Sequence, residues 1–255
     1  MSAIVPQHPI VFLPGFMCDG RLFQAQKASL SRNGYLCLDG DITRSASIER
    51  IAHDVLTDAP KKFALVGLSM GGIVALEIVR QAPDRVMHLA LLNTTAHADR
   101  VQEQRKTQIC KVAEGKLSLV MQEELKPNYL AKCNRTSERL NLLADMGLKL
   151  GEEVFAQQSI ALMNRCSAHD ILPNISCPTI VMTGRDDIVC TPEIHIELAN
   201  AIPDAALSII ANCGHLSTME QPQIVTNALL ALLKQTAPTA QSTSTGPARL
   251  RLVKG

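Results

Sequence analysis

"ALVGLSMGGIVALEIV", residues 64–79, sets one serine, Ser69, between two glycines where an apolar run gives way to a segment of helical spacing. Leucine and valine crowd the first part as in a strand buried on both faces, and from Gly71 the apolar residues recur at intervals of three and four, as on a helix. A strand that turns so tightly into a helix strains the residue at its tip, and glycines two positions to either side keep side chains from colliding. This reading puts Ser69 at the carboxyl end of a parallel strand, where such sheets bind ligands, beside the free amides and positive dipole end of a helix. GxSxG alone arises by chance in many chains; its strand and helix context is what points to a nucleophile.

The same alternation extends along the chain. Short runs rich in Val, Ile and Leu predict strands at Ile10–Leu13, Tyr35–Leu38, Phe63–Gly67, His88–Leu92, Thr179–Thr183 and Ala206–Ile210. Helical spacing predicts crossover helices at Arg21–Ser31, Ile48–Thr57, Gly71–Gln81, Pro192–Ala201 and Gln223–Lys234. The fold class is α/β, a mostly parallel central sheet of about six strands flanked by helices. One interval breaks the rhythm: from Thr94 to about Leu172 only helical segments rich in Gln, Glu, Lys, Leu and Met occur, far more chain than a crossover needs. The expected organisation is a core of residues 1–94 and 172–235, a helical cap inserted at 95–171, and a tail at 236–255 too polar in its Thr, Ala, Ser and Pro content to pack.

Formal charge is +1 over 255 residues, and no basic stripe offers nucleic acid a footprint. No run approaches the roughly 20 apolar residues of a membrane span. The first residues carry no cationic segment ahead of their short apolar run, so the expected compartment is the cytoplasm. Eight cysteines lie far apart without a CxxC pair, which predicts buried or idle thiols and neither a metal site nor a disulfide framework.

A serine hydroxyl needs a base, and seven histidines compete for that role. His8 lies in the N-terminal stretch, His53 and His195 fall within helices, His88 starts a strand, and His97 and His169 sit at the two junctions of the cap. His215 differs: "SIIANCGHLSTMEQP", residues 208–222, places it in a loop just after the last strand, at the same sheet edge as Ser69, with Gly214 relaxing the backbone before it. The histidine in turn needs a carboxylate to fix its tautomer and stabilise the imidazolium. "TIVMTGRDDIVCTPE", residues 179–193, supplies Asp186 and Asp187 directly after the preceding strand.

These three segments, in the order serine, acid, histidine, resemble the α/β-hydrolase family over nearly all of Ile10 to Lys234. The resemblance implies that the acid is the residue three after the strand-ending glycine, which selects Asp187 and leaves Asp186 to solvent or the turn. The alternative acid position, after the earlier strand, holds "LLNTTAH" and offers no carboxylate. By the family pattern the oxyanion hole consists of the amides of Met70 and of Phe16, the latter in "FLPGFMCDG", which is similar to the family's HGx turn with Pro14 in place of histidine. The antiparallel strands that usually begin such a sheet have no counterpart before Ile10.

The flanking residues Phe16, Met17, Met70 and Leu216 suggest an apolar pocket, with Met17 and Leu216 as candidate lining residues. Arg21, Arg165 and Arg185 are each near enough in sequence to clamp a substrate carboxylate, or are ordinary surface charges. The segments around the site are similar to those of carboxylesterases, pimeloyl-ACP methyl ester esterases and 3-oxoadipate enol-lactonases. The expectation is a serine hydrolase for a carboxylic ester or lactone of a small to medium, largely apolar substrate, with no cofactor and no metal; no oligomeric state follows. Carbon–carbon hydrolases, acyltransferases, amidases and perhydrolases share the same apparatus, and a small-molecule receptor is the non-enzymatic alternative.

Overall fold

A computed structural model describes residues 8–236. Six strands form a single, wholly parallel sheet in the order β2-β1-β3-β4-β5-β6. They are β1 (Ile10–Leu13), β2 (Cys37–Asp39), β3 (Phe63–Leu68), β4 (Val86–Leu92), β5 (Thr179–Gly184) and β6 (Ala206–Ile210). The helices are α1 (Gln24–Arg32), α2 (Ile48–Asp58), α3 (Met70–Gln81), α4 (Gln102–Ala113), the single turn α5 (Leu117–Leu119), α6 (Ser137–Asn164), α7 (Pro192–Ala201), the short α8 (Ser217–Glu220) and α9 (Pro222–Leu232).

Alternate side chains of each strand enter opposite layers, as a pleat of period two requires. Val11 and Leu13 of β1, Leu65 of β3 and Leu89 and Leu91 of β4 join the layer with α2, α3 and α7; Ile10, Phe12, Ala64, Val66, Ala90 and Leu92 join the layer with α1 and α9. Both faces are thus dry, which is why the strands read as unbroken apolar runs. Helix α2 shows the matching pattern: Ile48, Ile51, Ala52, Val55 and Leu56 are buried at helical spacing, and the Ser47 side chain caps the first turn by accepting from the Arg50 N–H.

Every sequence-predicted strand is present; β1 and β6 keep their expected bounds, and the other four shift at one end or both. β2 begins at Cys37 and not at Tyr35, because the Tyr35 N–H donates to Leu30 O and closes the end of α1. The helix expected from Arg21 divides into a 3-10 turn, Gly20–Phe23, and α1, since Asp19 accepts from the Arg21 N–H and starts the chain turning early. Between β4 and β5 the described residues form no strand; α4, α5 and α6, with short irregular turns, occupy this interval, and α6 bends at Gly151, where φ is 84°. The expectation of an unpacked tail at 236–255 lies outside the described residues apart from Thr236.

Gly71 marks where α3 starts under the β1 loop. A Cβ there would sit 2.0 Å from Leu13 O, and one on Gly67 would sit 2.4 Å from Gly71 O. Both atoms met are backbone, which cannot swing aside, so Gly71→Ala is expected to destabilise the fold by about 3 kcal/mol or more, at the upper end of ordinary overpacking. Chemical denaturation measures this; an unchanged midpoint would contradict the close approach of α3 to β1.

Candidate active site

Ser69 occupies the junction of β3 and α3 with φ 55° and ψ −117°, a conformation that side chains rarely adopt. It is held there by main-chain bonds on both sides: its N–H donates to Leu92 O, and its carbonyl accepts from the Thr94 hydroxyl at 2.7 Å. The strain lifts the side chain off the sheet edge. Its hydroxyl lies 2.8 Å from His215 Nε2, across 146 residues of chain.

His215 sits after β6 and is 1% exposed; Asp187, after β5, is 3% exposed. The Nδ1–H of His215 donates to Asp187 Oδ2 at 2.9 Å, so Nε2 is left as the acceptor for the Ser69 hydroxyl. Asp187 Oδ1 accepts from the N–H groups of Val189 and Cys190, each at 2.9 Å, and Oδ2 also accepts from Asn93 Nδ2 at 2.9 Å. Burial alone would push the Asp187 carboxyl up, but the facing imidazole and the donated hydrogen bonds outweigh it and hold the group below the usual carboxylate range. A hydroxyl, an imidazole in a fixed tautomer and an ionised carboxylate stand in line, an arrangement suited to moving a proton off Ser69.

Phe16 and Met70 come to the same place from the β1 loop and the first position of α3. No acceptor among the described residues takes either N–H. Asp186, as expected, is exposed.

Several residues that sequence reasoning missed hold this arrangement. Asn93, at φ 47°, donates to Asp187 and to Gly214 O and accepts from the Ser217 hydroxyl at 2.6 Å. Glu220, buried, accepts from the N–H groups of Gly214, Leu216 and Ala131 and so fixes the loop on both sides of His215. The His215 N–H itself donates to Tyr129 O. In the β1 loop, the Met17 N–H donates to Gln158 Oε1 at 2.9 Å, and the fully buried Lys126 donates to Met17 O at 3.0 Å and to Phe16 O at 3.4 Å. Desolvation pushes the Lys126 ammonium down. Residues of the β4–β5 segment therefore brace the turn that follows Pro14.

A cavity of about 360 Å³ opens on Ser69, lined near it by Phe16, Met70, Ile73, Leu125, Tyr129 and Leu162. Met17 and Leu216 do not line it, contrary to the sequence-based expectation: both are buried, Met17 in the layer with α2 and α3 and Leu216 in the layer with α1 and α9. Nor is the lining wholly apolar, since Asp99, Arg105 and Arg165 contribute to it. Arg21, in contrast, pairs with Asp19 and Asp145, and Arg185 is exposed.

Among the described residues one trio gathers metal-ligating atoms: His97, His169 and Glu197. The two Nε2 atoms lie 3.2 and 3.0 Å from the Glu197 carboxylate, and the Arg100 guanidinium stands 3.3 Å from His97 Nδ1, where its charge opposes a second cation. The eight cysteines are free, and burial pushes the Cys213 and Cys190 thiols up, away from the reactive thiolate. No described helix is long and apolar enough to cross a membrane.

A family profile described as Hydrolase_4, serine aminopeptidase S33, matches residues 46–222. A protein of Mycobacterium tuberculosis with the provisional name non-heme bromoperoxidase BpoC is 28% identical, with 87% of this chain and 92% of that one covered. A thermophilic esterase from Thermogutta terrifontis, solved with malate bound, superposes with a TM-score of 0.81 at 29% identity, covering 89% of each chain. The enol-lactonase from Burkholderia xenovorans LB400 superposes with a TM-score of 0.80 at 22% identity, covering 90% of this chain and 93% of its own, a likeness of fold.

Proposed function

The chain belongs to the Hydrolase_4 family of α/β-hydrolases, and from that premise we propose that it hydrolyses carboxylic esters or lactones with Ser69 as nucleophile, His215 as general base and Asp187 as its orienting acid. Ser69 attacks the carbonyl as His215 Nε2 takes its proton; the same nitrogen returns the proton to the leaving alcohol, and water then resolves the acyl-enzyme. The N–H groups of Phe16 and Met70 receive the oxyanion, where losing one donor costs on the order of 100-fold or more. No step calls for a metal or cofactor.

The observation that carries this reading is the 2.8 Å contact of Ser69 Oγ with His215 Nε2, with Asp187 on the opposite ring nitrogen. The esterase named above supports an ester as the electrophile. A fluorophosphonate probe tests it: the folded protein is expected to take up one label, located by mass spectrometry on Ser69. Labelling of another residue, or none, would overturn the assignment.

A further inference from the structure

The segment between β4 and β5 brings three arginines, Arg100, Arg105 and Arg165, and two carboxylates, Asp99 and Glu124, to the cavity that opens on Ser69. Glu124 is matched already: Lys111 Nζ stands 2.6 Å from its Oε1, and Gln108 donates to its Oε2. Arg100 is turned to His97. Asp99, whose side chain is 2% exposed, serves both remaining guanidinium groups, with Arg105 Nε at 3.1 Å and Arg165 Nη1 at 3.0 Å. One buried carboxylate thus faces two arginines whose side chains are 17% and 8% exposed, which leaves a positive charge in surplus in the cavity that opens on Ser69.

The two arginines differ in what they have left to give. Arg165 also donates to His97 O and Leu162 O, so it is largely committed to the fold. Arg105 uses only Nε. Among the described residues neither of its Nη groups has an acceptor, and its guanidinium lies 5.5 Å from the centre of the Phe16 ring. A guanidinium with both Nη groups unengaged presents the paired donors that match a carboxylate, and its partial burial strengthens the attraction relative to water.

We infer that Arg105, backed by Arg165, binds a carboxylate of the substrate, so that the substrate class is an ester or lactone that also bears a free acid group, the monoester of a short dicarboxylic acid being the simplest case. The inference rests on the hydrolase reading above for the ester, but not for the anion. Asp99 sets the position of both guanidinium groups and neutralises one of them; the substrate anion neutralises the other. A neutral ester of the same length leaves that charge unpaired.

The test compares monomethyl esters of dicarboxylic acids from malonate to adipate with methyl esters of unbranched monocarboxylic acids of equal chain length. For at least one length the anionic ester is expected to be favoured tenfold or more in kcat/KM. Arg105→Gln should shrink that ratio at least tenfold, and Arg105→Lys should restore part of it, a rescue that loss of packing would not show. Calorimetric binding of free glutarate to the wild-type protein and to Arg105→Gln supplies an arm that requires no catalysis. Arg105-dependent glutarate binding without turnover of any ester or labelling of Ser69 would leave the subsite standing and remove the hydrolase reading. Ester turnover with no anionic preference and no glutarate binding would do the reverse.

Discussion

Ser69→Ala is expected to lower kcat/KM for short p-nitrophenyl esters by roughly 10⁴-fold to 10⁶-fold, to the level at which only binding and oxyanion donors remain. The magnitude follows from the dependence of each group on the others: without the hydroxyl, His215 has no proton to take and Asp187 nothing to orient. The fold should survive, because what holds residue 69 in place is main chain, its N–H on Leu92 O and its carbonyl on the Thr94 hydroxyl. Alanine retains both bonds. Equal Tm and far-UV circular dichroism with lost turnover would separate chemistry from folding, and retained turnover would sink the nucleophile.

How far this site could be read in advance depended on whether the signal was local. The β3–α3 junction announces itself because a buried strand, a strained tip and two close backbone approaches each restrict residue type within eight positions, and Gly67 and Gly71 meet backbone atoms at 2.4 and 2.0 Å. His215 is legible for a related reason, since strand ends of a parallel sheet converge at one edge; the same reason reaches Asp186 and Asp187 alike, and only the resemblance to the α/β-hydrolases chooses Asp187. Met17 and Leu216 carry no such signal, since adjacency to a site in sequence says nothing about direction. At φ 50°, Met17 turns from the cavity that Phe16 lines, and Leu216, next to His215, packs into the opposite layer of the sheet.

The bracing residues had no comparable signature. Asn93 stands where an acid was sought, and its contribution depends on an amide that both donates to Asp187 and accepts from Ser217. Glu220 lies in a helix of four residues and is recognisable only once its carboxylate is seen to collect main-chain N–H groups around His215. Arg105 and Arg165 lie 60 residues apart in sequence dense with charge; Arg165 reads there either as a clamp for a carboxylate or as a surface charge, Arg105 carries no signal at all, and only the fold brings both to Asp99.

Asp187→Asn is expected to lower kcat by about 10³-fold to 10⁴-fold while leaving Ser69 and His215 in place. The N–H groups of Val189 and Cys190 converge on one side-chain oxygen of residue 187, so an asparagine must present its carbonyl there and its NH₂ on the other side, toward His215 Nδ1 and Asn93 Nδ2. An NH₂ facing Nδ1 makes that nitrogen an acceptor and transfers the ring proton to Nε2. Nε2 then donates toward Ser69 and can no longer take its proton. The same NH₂ also meets the Asn93 Nδ2 donor, and Asn93→Asp would relieve that clash only by setting a carboxylate oxygen against Gly214 O, which Nδ2 satisfies in the wild type. The double variant Asn93→Asp with Asp187→Asn is therefore expected to recover neither the lost Tm nor the lost kcat, because Gly214 O loses its donor and the tautomer of His215 remains the wrong one. Steady-state kinetics and thermal unfolding of the two variants distinguish the effects; near wild-type kcat in Asp187→Asn would remove the acid from the proposed mechanism.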